Sequence, residues 1–306
     1  LVVNQENIVE RIVEFKDASD SERNITLCNS GVYLLKASLL KSLLEKITPD
    51  NEAGEYYLTD IVALAKENGV CTRVIEGPAE ELLGINTRVE LAAAEQVLQN
   101  RWRHKWMLKG VTLQDPESVF FCHDTILGQD VVIGAHVTFG SGVVIEDHVQ
   151  ILPYCHMEGV TLRRGACVGP FAHLRSGTEV GEKAIIGNFV EVKNSILAPG
   201  AKAKHLSYLG NAQIGERANI GAGTITCNYN GYVKAQTTIG AYAFIGSNSS
   251  LVAPVSIGER AIVAAGSVIT KDVPADSLGI QRTPQQNKEN WAIGFRNQQV
   301  NNKQAG

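Results

Sequence analysis

Two stretches of the 306-residue chain gather ring-bearing, cationic and amide side chains among glycines. The first holds Lys193, Lys202, Lys204, His205 and Tyr208. The second runs Gly221-Ala222-Gly223-Thr224-Ile225-Thr226-Cys227-Asn228-Tyr229-Asn230-Gly231 and reaches Lys234. A histidine exchanges its proton near neutral pH, and lysine ammonium groups bind anions as point charges. Proton transfer beside a held anion is therefore chemistry that such stretches can perform. Both lie where an otherwise strict structural pattern breaks, which is where function is expected.

That pattern is a six-residue beat of aliphatic side chains. It runs Leu127, Ile133, Phe139, Ile145, Ile151, Met157, slips by one, and continues as Leu162, Val168, Leu174, Val180, Ile186, Val192. It returns at Ile214 and Ile220, then at Ile239, Ile245, Leu251, Ile257, Val263 and Ile269. A period of six fits no 3.6-residue helix; it fits a triangular coil that turns one residue per face inward, about 18 residues per turn. Glycine often follows the inward residue, as at Gly134, Gly187, Gly221 and Gly246, and tolerates the close approach that tight corners need. About eight stacked coils would make a prism on the order of 38 Å long, with a thin core and ends that need caps. Val192 to Ile214 and Ile220 to Ile239 are longer than the beat allows, so both are expected to be insertions leaving the prism wall. Periodicity leaves the hand of the coil open.

The preceding hundred residues read differently. Gly31–Leu35 reads as a buried strand, Ser38–Ile47 as a helix capped by Ser38, Glu55–Glu67 as a helix stopped by Asn68-Gly69, and Cys71–Ile75 as another strand. Such alternation suggests part of an α/β domain with a mainly parallel sheet over residues 1–87, and the abrupt start suggests that strands lie upstream. Residues 88–109 have high helix propensity and read as a linker helix; the coil and its tail then occupy 110–306. A net charge of −4 argues against a general nucleic-acid or membrane-surface binder. No apolar run approaches the length of a membrane span. Six cysteines without a CxxC pair are expected as reduced thiols in a cytoplasm.

The residues His205-Leu206-Ser207-Tyr208-Leu209-Gly210, Asn219 to Tyr229, and Phe171-Ala172-His173-Leu174-Arg175 resemble the bifunctional bacterial enzymes of UDP-N-acetylglucosamine synthesis. Those enzymes join a glucosamine-1-phosphate N-acetyltransferase to an N-acetylglucosamine-1-phosphate uridylyltransferase. The likeness extends to Ile12–Ala18, Leu83–Arg88 and Arg282–Trp291. It implies a left-handed parallel β-helix of hexapeptide repeats, against the usual crossover preference, assembled as a homotrimer, behind a partial Rossmann-like nucleotidyltransferase domain. It implies His205 as general base with Glu191 orienting its ring. Arg175, Lys193, Tyr208, Asn219 and Lys234 would hold the sugar phosphate. Ala222, Asn228, Tyr229, Ser247, Ala265 and Arg282 would line the acetyl-CoA groove, with the Ala222 amide or the Ser247 hydroxyl near the thioester carbonyl. His136 and His148 are expected to be plain surface residues, and Ala265 could serve packing alone.

For the α/β part the resemblance implies that Glu14, Asn29 and Asn86 hold a UDP-sugar, Asn86 also binding Mg2+. The family's glycine-rich phosphate loop and magnesium-binding aspartate are not in the sequence, so uridylyl transfer is expected to be inactive in this chain. One asparagine does not make a metal site. Three other readings are a nucleotidyltransferase with a regulatory β-helix, a zinc-dependent β-helix enzyme, and a scaffold. Zinc catalysis of that kind needs three converging histidines, and His205 has no near histidine partner in sequence.

Overall fold

The computed structural model describes residues 1–304. It divides into two compact units, Leu1–Leu98 and Gln99–Gly306. In the second, the chain winds repeatedly over three parallel sheets of eight, ten and eight short strands. We term these the first, second and third walls, in the order that each coil visits them. One coil shows the pattern: Thr178–Val180 on the first wall, Ile185–Asn188 on the second, Glu191–Lys193 on the third. The inward residues are the beat itself. Ile133, Leu162, Val168, Leu174, Ile186 and Val192 are among those with no exposed surface. Each contributes one aliphatic side chain per wall to a single continuous core.

Val192 to Ile214 does not bulge from the wall as its spacing suggests. It holds a complete further coil, whose inward residues are Leu197, Ala203 and Leu209, all fully buried. Two steps of this coil, Val192 to Leu197 and Leu209 to Ile214, are five residues instead of six, and its second-wall position carries only alanine. The next coil places Thr226 inward, also fully buried. There the hydroxyl accepts the Gly210 N–H at 2.7 Å and donates to the Gly210 carbonyl at 3.0 Å. The second expected insertion is real. After Cys227 the chain leaves the third wall in a hairpin, with Tyr229 bridged to Lys234 and the Ala235 N–H donating to Asn228 O at 2.8 Å.

The helix Arg88–Leu108 occupies the expected linker segment. Its later half seals the first coil. Gln99 both accepts from Phe121 N–H (2.9 Å) and donates to Phe121 O (2.8 Å), while Arg103 donates to Val119 O and Glu117 O, each at 3.0 Å. Side chains thus satisfy backbone groups that no lower coil covers.

The first unit departs from the expected parallel sheet. Its one sheet is the antiparallel pair Val2–Val3 and Val9–Arg11. Gly31–Leu35 forms no strand, with Leu34 wholly exposed and Val32 largely so. Cys71–Ile75 contributes a single antiparallel bridge, Arg73 to Ile8. An apolar run becomes a strand only when a neighbour takes its hydrogen bonds, and among the described residues these two have no ladder partner. The helices fare better: Ala37–Leu44 has Lys36 at its N-cap instead of Ser38, and Ile61–Glu67 follows a short 3-10 turn, Leu58–Asp60. Asn68 and Gly69 end the latter as expected, Gly69 adopting a left-handed φ of 73°. Val9, Leu43, Ile61, Val62 and Ala65 form this unit's core.

Candidate active site

His205 ends the second-wall strand Lys202–His205, and the chain turns onto the third wall through Leu206, which has a left-handed φ of 49°. Because Ala203 pairs with Ile220, Ile220 with Ile245, and Ile245 with Val263, positions two residues further on stack along the same corner. That column reads Asn188, His205, Ala222, Ser247, Ala265. Backbone bonds run along it: Leu206 N–H to Asn188 O (3.0 Å), Asn248 N–H to Ala222 O (2.7 Å), Gly266 N–H to Ser247 O (2.8 Å). Three expected acetyl-CoA residues and the expected base therefore share one edge of the prism. Arg282 joins them, donating to Ala265 O at 2.7 Å. The glycines before this column are required by the stack: a Cβ on Gly221 would lie 2.6 Å from Ser247 N.

The sugar-phosphate candidates gather around the third wall. Arg175 pairs in register with Lys193, and Glu191 with Tyr208. Arg175 donates to Glu191 at 2.8 Å. The charges of Arg175 and then Lys234 hold the Lys193 ammonium below the usual lysine range, so these three cations lie close enough to repel. Glu191 opposes them at Lys193, on a protein whose net charge is −4. Tyr208 folds its hydroxyl over Gly210, where Asn228 also reaches; a Cβ on Gly210 would meet both, at 2.5 and 2.7 Å. Asn228 is nearly buried and donates to Asn211 Oδ1 at 2.6 Å. Tyr229 lies on the hairpin, with its hydroxyl donating to Gly231 O at 2.5 Å.

Two expectations change. Glu191 engages Arg175 instead of His205, because it lies on the third wall in register with His173 and Tyr208. The His205 ring instead meets Asn188, with Nδ1 2.7 Å from Oδ1. Asn188 went unnoticed in the sequence because its pairing with His205 depends on Ala203 being inward. Asn219 stands apart from the other sugar-phosphate residues: it lies on the second wall, paired with Lys202 and Phe244. His136 and His148 are exposed corner residues, as expected, with φ of 56° and 59°.

In the first unit, Asn29 donates to the Tyr33 hydroxyl at 2.8 Å and Glu14 accepts from Thr59 at 3.3 Å. Burial, and secondarily the Glu14 carboxylate, push the Tyr33 hydroxyl above the usual tyrosine range, so Glu14 and Asn29 both neighbour Tyr33. Among the described residues, no set of magnesium ligands gathers around Asn86. The Glu90 carboxylate beside it is occupied by the Asn86 and Thr87 N–H groups at 2.6 and 2.7 Å, capping the linker helix. A hard divalent cation needs several oxygen ligands, and one amide does not supply them. Among the described residues, one triad of metal-type donors occurs, Cys122, His123 and Asp124. Asp124 there already accepts the Gly142 N–H at 2.8 Å.

The repeating strands define a class before any particular relative. Residues 236–271 match the family described as bacterial transferase hexapeptide (six repeats). Over nearly the whole chain the likeness narrows. The chain is 51% identical over 300 residues to the bifunctional protein GlmU of Paramagnetospirillum magneticum, covering 98% of this chain and 67% of that one. It is 53% identical over 285 residues to the GlmU of Paracoccus denitrificans, covering 93% and 64%. It is 49% identical over 305 residues to that of Agrobacterium fabrum, covering 100% and 67%. The chain belongs to the bifunctional GlmU family, and it spans about two thirds of the length of these relatives.

Proposed function

We propose that the solenoid transfers the acetyl group of acetyl-CoA to the amine of glucosamine-1-phosphate, giving N-acetylglucosamine-1-phosphate and CoA. The observation that carries this reading is the junction at His205. One edge continues from it as Ala222, Ser247 and Ala265, with Arg282 alongside; the adjoining third wall presents Arg175, Lys193 and Tyr208. Small residues leave room for an extended thioester, and Arg282 suits a CoA phosphate. Arginine and lysine together suit a phosphomonoester. In the step itself the amine nitrogen attacks the thioester carbonyl carbon while His205 accepts its proton. The Ala222 amide or the Ser247 hydroxyl would meet the developing oxyanion. The C–S bond then breaks, and CoA leaves as a thiolate that takes up the proton.

Further parts of the reading rest on the family. They are left-handed winding, a cytoplasmic setting and a homotrimer in which neighbouring copies complete each site. The isolation of Asn219 on the second wall supports the last. No helix among the described residues is long and apolar enough to cross a membrane. The Glu14 and Asn29 grouping at Tyr33 supports a role in UDP-sugar contact. Mass-spectrometric detection of N-acetylglucosamine-1-phosphate from acetyl-CoA and glucosamine-1-phosphate tests the central reading. Product that falls at least a hundredfold in His205→Ala supports it. No product from the folded protein would shift the weight to a regulatory or scaffold solenoid.

A further inference from the structure

We propose that Asn188 is the positioning residue for His205: its side-chain oxygen fixes the imidazole tautomer so that Nε2 is the nitrogen offered to the substrate amine. The inference rests on the acetyl-transfer reading for its purpose, though not for its geometry. Asn188 and His205 are partners in the parallel ladder, each the last residue of its strand. Left-handed residues follow both, Phe189 at 55° and Leu206 at 49°. Their backbones are thus held by adjacent coils of the wall, and the side chains leave the same corner side by side.

The amide oxygen of Asn188 lies 2.7 Å from His205 Nδ1. An amide oxygen has no proton to give, so a hydrogen bond at this separation requires the proton on Nδ1. A neutral imidazole protonated at Nδ1 has its only free lone pair on Nε2. The exposed ring therefore presents one basic nitrogen away from Asn188. When Nε2 takes the amine proton, the Nδ1–H to oxygen bond persists unchanged, so the ring keeps its orientation through the step. The partner is neutral, which distinguishes this pair from a carboxylate-supported histidine. The nearby Glu191 is engaged by Arg175 at 2.8 Å. A neutral acceptor orients the ring without the added charge attraction that would hold the transferred proton more tightly, which favours its release to the departing thiolate.

The test uses the whole protein, with acetyl-CoA and glucosamine-1-phosphate as substrates. Nitrogen-15 spectra of the His205 imidazole in the free protein should show the Nδ1-protonated tautomer, and Asn188→Ala should bring a mixture with the Nε2-protonated form. Asn188→Ala should lower kcat about 10- to 100-fold, the scale of losing a partner that orients a histidine, with both KM values within about threefold. Asn188→Asp keeps the acceptor and adds a charge, so the acidic limb of its kcat/KM profile should move up by about one pH unit. Thermal unfolding of each variant checks that the solenoid is intact. A predominantly Nε2-protonated His205, as with the amide turned over, would overturn the proposal, as would an Asn188→Ala variant with unchanged tautomer and kcat. The spectra decide the tautomer even if no acetyl product forms, so failure of the acetyl-transfer reading is distinguishable.

Discussion

Replacing Arg175 by methionine removes one of three cations that crowd the third wall and strips Glu191 of its partner at 2.8 Å. Counting Arg175, Lys193 and Lys234 against Glu191, the local charge falls from +2 to +1. A charge-assisted hydrogen bond to a phosphate oxygen is worth about 1.5–3 kcal/mol. The Arg175 and Glu191 side chains are 40% and 37% exposed, so solvent screening argues for the lower half of that range. The expected consequence is a KM for glucosamine-1-phosphate raised roughly 10- to 40-fold, with the KM for acetyl-CoA unchanged and kcat within about threefold, since the loss is in binding common to ground and transition states. Glu191→Gln should do the reverse or nothing, because it frees the guanidinium. In the double variant no guanidinium is left to free, so the gain from Glu191→Gln should be lost and the two effects should not add. Steady-state kinetics at fixed ionic strength, repeated at higher salt, supplies all these values. A fall in kcat with KM unchanged, or strict additivity of the two substitutions, would refute a phosphate grip shared by Arg175 and opposed by Glu191.

Three further outcomes follow from the same geometry. Arg175 and Lys234 hold the Lys193 ammonium below the usual lysine range, so it loses its proton at lower pH than an isolated lysine. Sugar-phosphate KM should therefore begin to climb early on the alkaline side, and in Arg175→Met, which removes the largest cause, that rise should move to higher pH; KM measured across pH 7 to 10 reads both. Gly221→Ala would drive a Cβ to within 2.6 Å of Ser247 N, at a cost of about 1–3 kcal/mol. Its unfolding midpoint should fall, and its acetyl-CoA KM should rise because Ala222 and Ser247 shift; an unchanged melting curve would contradict the close stacking of this corner. Thr226→Val keeps the inward volume but leaves the buried Gly210 N–H without its 2.7 Å acceptor, which should cost about 1–3 kcal/mol in denaturant unfolding of the solenoid.

The prism was legible wherever its inward residues are large and six apart. From Leu127 to Val192 and from Ile239 to Ile269 the beat marks the buried positions residue by residue. It failed at one coil, where Ala203 is too small to register and the steps to Leu197 and Ile214 are five residues. That gap hid the position of His205 on the corner column and so hid Asn188. Thr226 escaped for a related reason: it is polar, yet its hydroxyl closes on the Gly210 backbone and the residue can face inward. The hairpin after Cys227 is visible because no stack of five- or six-residue steps can absorb the distance from Ile220 to Ile239. In the first unit, the helix stop at Asn68-Gly69 is a local signal, and the helix ends there. The strands were not, since Val32 and Leu34 can carry strand propensity without any ladder neighbour. For Glu191, the resemblance pairs it with His205, whereas the register sets it on the third wall where it accepts from Arg175.

A crystal structure of the protein with N-acetylglucosamine-1-phosphate and CoA tests the central claim most directly. The phosphate is expected among Arg175, Lys193 and Lys234, the CoA sulfur on the edge lined by Ala222, Ser247 and Ala265, and the N-acetyl nitrogen within about 3.5 Å of His205 Nε2. Ligands bound away from that corner, or a sugar nitrogen out of reach of His205, would contradict it.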